Sequence, residues 1–173
     1  MKKEQRGNNV VAQARRRGAV AAEGDGAIMR KLSIGQTAEV EINVTPDMMA
    51  RFDGRLVHEL YSTASLVHHM EWAARKLIVP YLEPTEEAMG YSVEVSHLSM
   101  TLPDTKVRIR ATLSEIRDRK IVCDIEAFNS RGKVARGTIT QALIEKDWLS
   151  RKMKELSIIN QLSEQLETAS GSK

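Results

Sequence analysis

One run constrains the fold more than any other: "STASLVHHMEWAARKLIVPYLEP", residues 62–84, where Leu66, Met70, Ala73 and Leu77, flanked by Val67, Ala74 and Ile78, recur at helical spacing. Ser62 or Thr63 supplies an N-cap and Pro80 closes the run. The apolar stripe is broad, so other elements of the chain must wrap it. Glu71 stands on that stripe, among Val67, Ala74 and Ile78. A carboxylate on an apolar face calls for a reason.

The flanking patterns alternate instead. Ala38, Val40, Ile42 and Val44 oppose Thr37, Glu39, Glu41 and Asn43, which is a half-buried strand. The stretch "TPDMMARFDGRLVHEL" reads as irregular. After the helix, four strands are expected at about 89–101, 106–116, 121–129 and 134–144, joined by "LPDT", "RDRK" and "NSRGK". Links this short imply antiparallel hairpins and hence a four-stranded meander. A long apolar helix followed by such a sheet gives the α+β arrangement of a hotdog fold, an antiparallel sheet wrapped around a long central helix. Beyond it, "DWLSRKMKELSIINQLSEQLE" reads as a C-terminal amphipathic helix, with Leu149, Met153, Leu156, Ile159, Leu162 and Leu166 free to pack on the domain or a partner chain.

Of 173 residues, 42% are hydrophobic, enough for one domain with a real core. The net charge of +3 is uneven, because residues 1–31 hold eight basic against three acidic residues. That basic tail is expected to be disordered, leaving a domain at 32–147 and a C-terminal helix and tail at 148–173. The run Arg15, Arg16, Arg17 is read as a solvated extension; with no helix-turn-helix spacing, nucleic acid is not an expected partner. No segment has transmembrane length and no apolar signal core is present, so no membrane is expected. Cys123 stands alone, which points to a reducing cytoplasm.

In "YSVEVSHLSMT" the period of two puts Val93, Val95, His97, Ser99 and Thr101 on one face. If that face meets the helix, His97 and Glu71 aim at one interior or dimer seam. A structural Glu–His pair, or a Glu71–Arg75 pair one helical turn apart, would also explain the carboxylate, and the residues alone leave both readings open. His68 and His69 are adjacent and cannot chelate one metal as an i, i+4 pair would, so a surface or interface role is expected. His58 is isolated and Cys123 reads as a small core residue. No phosphate loop, nucleophile elbow or ligand cluster is present, so neither cofactor nor metal is expected.

The runs "MEWAARKLIVPYLEP", "MGYSVEVSHL" and "SRGKVARGT" resemble the fluoroacetyl-CoA thioesterase group of hotdog proteins, over roughly residues 32–147. The resemblance implies an acyl-CoA thioesterase that forms a homodimer, with Thr63, Glu71 and His97 as the catalytic set and Gly90 against the thioester. It implies Glu71 as nucleophile or general base, and His97 as the group that supplies or orients a proton. The fluoroacetate-specific member carries a phenylalanine lid before its threonine; Gly54 and Val57 stand there here, so short or medium acyl groups with modest selectivity are expected. Arg108, Arg110, Arg131, Lys133 and Arg136 are candidates for the CoA nucleotide. In an unbroken helix Thr63 and Glu71 lie roughly 12 Å apart, so either the helix starts after Thr63 or two subunits share the site. The alternatives are a non-catalytic acyl-CoA-binding hotdog sensor or regulator, and a hydratase of related fold.

Overall fold

Ser62 caps the central helix α1 (Thr63–Ile78): its hydroxyl accepts from the Ser65 N–H at 3.0 Å, satisfying one of the first-turn donors. At the other end Pro80 lies in a 3-10 turn, Val79–Tyr81, that stops the α-helix. The computed structural model describes residues 32–170, so the basic N-terminal tail lies outside the described residues. In order, the elements are β1 (Thr37–Asn43), β2 (Met49–Phe52), β3 (Arg55–Tyr61), α1, β4 (Glu86–His97), β5 (Lys106–Arg117), β6 (Lys120–Asn129), β7 (Gly132–Glu145) and α2 (Lys146–Ser170).

The main sheet is antiparallel with order β1-β5-β6-β7-β4, and it wraps α1 as a hotdog fold does. Leu66, Met70, Ala73, Ala74, Leu77 and Ile78 are buried against Val107, Ile109, Leu113, Ile121, Ile125 and Ile139. Each large apolar side chain fully buried this way stabilises the fold by about 1.5–3 kcal/mol. Small residues on both surfaces, Ala73 and Ala74 on the helix and Ala111, Ala127 and Ala135 on the sheet, are fully buried and let the helix lie close. Val40, Ile42 and Val44 are buried as their alternation requires, and Cys123 is a core residue whose thiol pKa burial pushes up to about 12.

Two expectations are corrected. The stretch before α1 is not irregular: β2 and β3 form a separate hairpin whose turn, Asp53 and Gly54, has φ of 50° and 74°. These left-handed values make a tight hairpin turn of the kind that an Asp-Gly pair favours. Secondly, β4 does not pair with β5 in a meander. It pairs with β7 at the far edge, and residues 98–105 pass the turn end of β6 and β7, where the Asn129 amide donates to the Thr101 hydroxyl. Three strand spacings amount to about 14 Å, a gap that eight residues span easily.

The C-terminal helix forms where expected, but its stripe of Met153, Leu156, Ile159, Leu162 and Leu166 is exposed and not packed on the domain. No helix among the described residues is long and apolar enough to cross a membrane.

Candidate functional site

Three hydrogen bonds fix the first turn of α1. The Tyr61 N–H donates to the Thr101 carbonyl at 2.9 Å, the Ser62 N–H to the Met48 carbonyl at 2.9 Å, and the Ser65 hydroxyl to the same Met48 carbonyl at 3.1 Å. Thr63, the first helical residue, is thereby set against the end of β4. Its Oγ1 lies 3.1 Å from Nδ1 of His97. The end of β4 is held in turn by the Leu98 N–H, which donates to the Val134 carbonyl at 2.8 Å.

His97 packs edge-on against the Tyr61 ring, with centroids 6.2 Å apart, while its Nε2 is buried without a partner. Burial lowers its pKa, against a smaller opposing effect of the Ser99 main chain, and His58 adds a still smaller lowering. The ring is therefore biased toward its neutral form. A cavity of about 310 Å³ opens here, lined by His58, Tyr61, Thr63, His97, Ser99 and Met100.

Glu71 belongs to a second cluster. It is half-buried and borders a cavity of about 470 Å³ with His68, Trp72 and Arg75. The alternative Glu71–Arg75 pair does not form: the Arg75 guanidinium donates to the Ala88 carbonyl at 2.8 Å and pairs with Glu87 at 2.8 Å. Against the Glu71 carboxylate lies the backbone of Gly90. A Cβ at Gly90 would overlap Glu71 Oε1 and come within 3.3 Å of Cδ. Glycine is the residue that lets a carboxylate sit on a strand this way.

Gly90 and His97 should lie on opposite faces of a regular strand, being an odd number of residues apart. A bulge resolves this. The pairing with β7 slips between Gly90 and Ser92, so Tyr91 is the extra residue, and Gly90, opposite Gln141, shares the helix-facing side with His97, opposite Ala135.

The two clusters nevertheless stay apart within one chain. From Gly90 to His97 the strand runs roughly 20 Å, and from Thr63 to Glu71 the helix advances about 12 Å. The helix begins at Thr63 and is unbroken, so of the two arrangements allowed by the sequence, a late helix start is excluded. Glu71 and His97 form no direct contact among the described residues.

His69 corrects another expectation. It is only 6% exposed, and its Nδ1 lies 2.7 Å from the hydroxyl of Tyr61, which is 1% exposed; only His68 of the pair faces solvent. Burial lowers the His69 pKa and raises that of Tyr61. The signal available in the sequence for its burial was spacing: His69 is in phase with the buried face of Leu66, Met70 and Ala73. Of the basic candidates, Arg110 pairs with Glu39 at 2.6 Å and Lys133 with Glu126, whereas Arg131 donates to the Met100 carbonyl at 3.1 Å, at the rim of the His97 cavity. Arg108 and Arg136 border other cavities. Among the described residues no group of three or more His, Cys, Asp or Glu side chains could hold a metal ion.

Comparison with known proteins extends these observations. Residues 44–147 match the family described as fluoroacetyl-CoA-specific thioesterase. The fluoroacetyl-CoA thioesterase of Streptantibioticus cattleyicolor is 29% identical over 97 residues, which is 56% of this chain and 70% of that protein. A Thermus thermophilus protein described as a thioesterase superfamily member superimposes with a TM-score of 0.73 at 33% identity, covering 75% of this chain and 96% of its own. A phenylalanine-to-alanine mutant of the fluoroacetyl-CoA-specific thioesterase FlK, solved with fluoroacetate and CoA, gives 0.65 at 25% identity, with 68% and 99% coverage.

Proposed function

The chain belongs to the fluoroacetyl-CoA-specific thioesterase family and is a thioester hydrolase, and from that premise we propose that it hydrolyses short or medium acyl-CoA thioesters at sites shared by two copies of the chain. The observation that carries this is the Glu71 carboxylate lying on the Gly90 backbone, unpaired with Arg75, while Thr63 and His97 wait hydrogen-bonded some distance away. A second copy supplies what one chain separates. Among the described residues β4 is an edge strand with a single neighbour, and its outer half is exposed, Val93 to 45%. An exposed apolar edge favours pairing with another strand. Antiparallel pairing of β4 with its own copy, about a two-fold axis at Glu94 and with Tyr91 bulged, sets Gly90 of one chain beside the His97 position of its partner.

In such a site the thioester carbonyl lies over Gly90, whose backbone N–H is the donor for the developing oxyanion. Glu71 attacks the carbonyl carbon or takes a proton from the water that does. His97, neutral and with Nε2 free, handles the proton that the departing sulfur needs, and Thr63 holds the imidazole by Nδ1.

The acyl end is open. Gly54 lies in the hairpin turn and Val57 is 60% exposed on β3, so neither closes over the substrate. Tyr61 is buried beneath His97 and Phe52 is 72% exposed, so neither is a lid within one chain. A cytoplasmic location, with free acyl-CoA as the substrate pool, accords with this chemistry. A non-catalytic acyl-CoA sensor is disfavoured because it would need neither a carboxylate on Gly90 nor a braced imidazole.

The test is thiol release from acetyl-, fluoroacetyl-, butyryl- and hexanoyl-CoA by the purified protein. Turnover of several, with fluoroacetyl-CoA favoured over acetyl-CoA by less than about a thousandfold, is expected, since such a pocket discriminates by about 1–3 kcal/mol per group. Tight binding of all four with no thiol release would instead support the sensor.

A further inference from the structure

The chemistry of Thr63, Glu71, Gly90 and His97 leaves Gln141 without a task. It lies on β7 in the row that faces α1, between Ile139 and Leu143, and is 1% exposed. Its Nε2 donates to the main-chain carbonyl of Glu71 at 3.5 Å, the outer limit for such a bond, and its Oε1 is buried without a partner. A leucine would fill this place with no polar atom to satisfy, and an acceptor left unmade inside a protein is destabilising. Among the described residues nothing meets that oxygen, which leaves it available to a bound molecule.

Its position identifies that molecule. Gln141 pairs directly with Gly90 across the strands, and the side-chain positions of such partners lie about 5 Å apart. At Gly90 that position is taken by Glu71 Oε1. The Glu71 carboxylate and the Gln141 side chain thus flank the Gly90 backbone, with an amide oxygen available beside a carboxylate. A water between them gives one hydrogen to each, which turns its lone pairs outward, toward a thioester carbonyl held at Gly90.

We propose that Gln141 is the second acceptor of the hydrolytic water, with Glu71 as the first acceptor and its general base. This rests on Glu71 being the hydrolytic carboxylate and chooses water over direct attack by that carboxylate. One O–H bond of the water breaks as Glu71 takes the proton, and the oxygen forms a bond to the acyl carbon. The tetrahedral intermediate collapses with cleavage of the C–S bond, and the sulfur takes the proton that Glu71 holds, relayed by the His97 imidazole of the shared site. The carboxylic acid product then ionises to solvent, so acyl-CoA and water yield carboxylate, CoA thiol and one proton.

The experiment compares kcat and KM for acetyl-CoA, across pH, in the full-length wild type, Glu71→Gln, Gln141→Leu and Gln141→Glu, with folding checked by thermal unfolding. Gln141→Leu should lose roughly 10- to 100-fold in kcat with KM within about threefold, because orientation of the water and not binding is removed. Gln141→Glu retains an acceptor oxygen. It should keep kcat within about tenfold at high pH, with the acidic limb of its pH profile moved upward, because two carboxylates facing one space cannot both ionise easily. A folded Gln141→Leu with kcat within about twofold of wild type, or a Gln141→Glu profile that does not move, overturns the proposal while Glu71→Gln remains inactive. If Gln141→Leu fails to fold, the profile of Gln141→Glu decides alone. Turnover by Glu71→Gln itself would overturn both the proposal and the role of Glu71 on which it rests.

Discussion

Thr63 Oγ1 and His97 Nδ1 stand 3.1 Å apart, a contact that ties the first turn of α1 to the last residue of β4. It holds an imidazole whose other nitrogen is buried and unpartnered. Because Ser62, not Thr63, caps the helix, the threonine hydroxyl is free for this contact. Thr63→Val, which keeps the shape and removes the hydroxyl, should lower kcat by at least about tenfold while leaving Tm nearly unchanged; Thr63→Ser should stay within about fivefold. Thiol release and thermal unfolding on the same preparations check this. A valine variant with undiminished turnover would remove the hydroxyl from the mechanism.

The glycines at 90 and 137 should fail in different ways. An added Cβ at Gly90 meets the far end of the Glu71 side chain, which can swing aside, whereas at Gly137 it meets the main-chain carbonyl of Glu94. Gly90→Ala should therefore fold and lose activity, by more than about tenfold in kcat as the carboxylate moves off the strand. Gly137→Ala should instead lower Tm, since a β7–β4 contact must open. Equal loss of stability in both would mean that the Gly90 site is merely structural.

Buried His69 makes stability depend on pH. Its folded pKa is lowered by burial, so below about pH 6.5 the unfolded chain takes up the proton more readily than the folded one. The stabilising contribution is complete above that pH and is lost as pH falls through the lowered folded value. His69→Gln keeps an acceptor for the Tyr61 hydroxyl but cannot titrate. The decline in Tm between pH 7.5 and 5.5 should be shallower in this variant than in wild type; parallel declines would show that the imidazole titrates alike in the folded and unfolded states.

Much of this was legible in the residues. The period of α1, the Ser62 cap, and the alternation of β5, β6 and β7 each come from local pattern, and Glu71 stood out because it broke one. The hairpin of β2 and β3 did not, because Arg55 to Glu59 are all exposed and carry no buried alternation; the Asp53-Gly54 turn was its only sign. The place of β4 was hidden for a different reason. Its link to β5 contains Asp104 at φ of 60°, a turn residue, but a turn does not say which strand the chain pairs with next. The bulge at Tyr91, which sets Gly90 and His97 on one face, and the Tyr61–His69 bond depend on partners elsewhere in the fold and leave no local trace.

The sharing of each site between two chains is tested most directly by mixing inactive variants. Glu71→Gln retains Thr63 and His97, and His97→Ala retains Glu71 and Gly90, so each homodimer should be dead. After subunit exchange, a mixed dimer holds one complete site, with Glu71 from one chain and His97 from its partner. An equal mixture should regain about one quarter of wild-type kcat per chain, since half the dimers are mixed and each has one working site of two. No recovery in a mixture that native mass spectrometry shows to contain mixed dimers would contradict the shared site and place the whole chemistry within one chain.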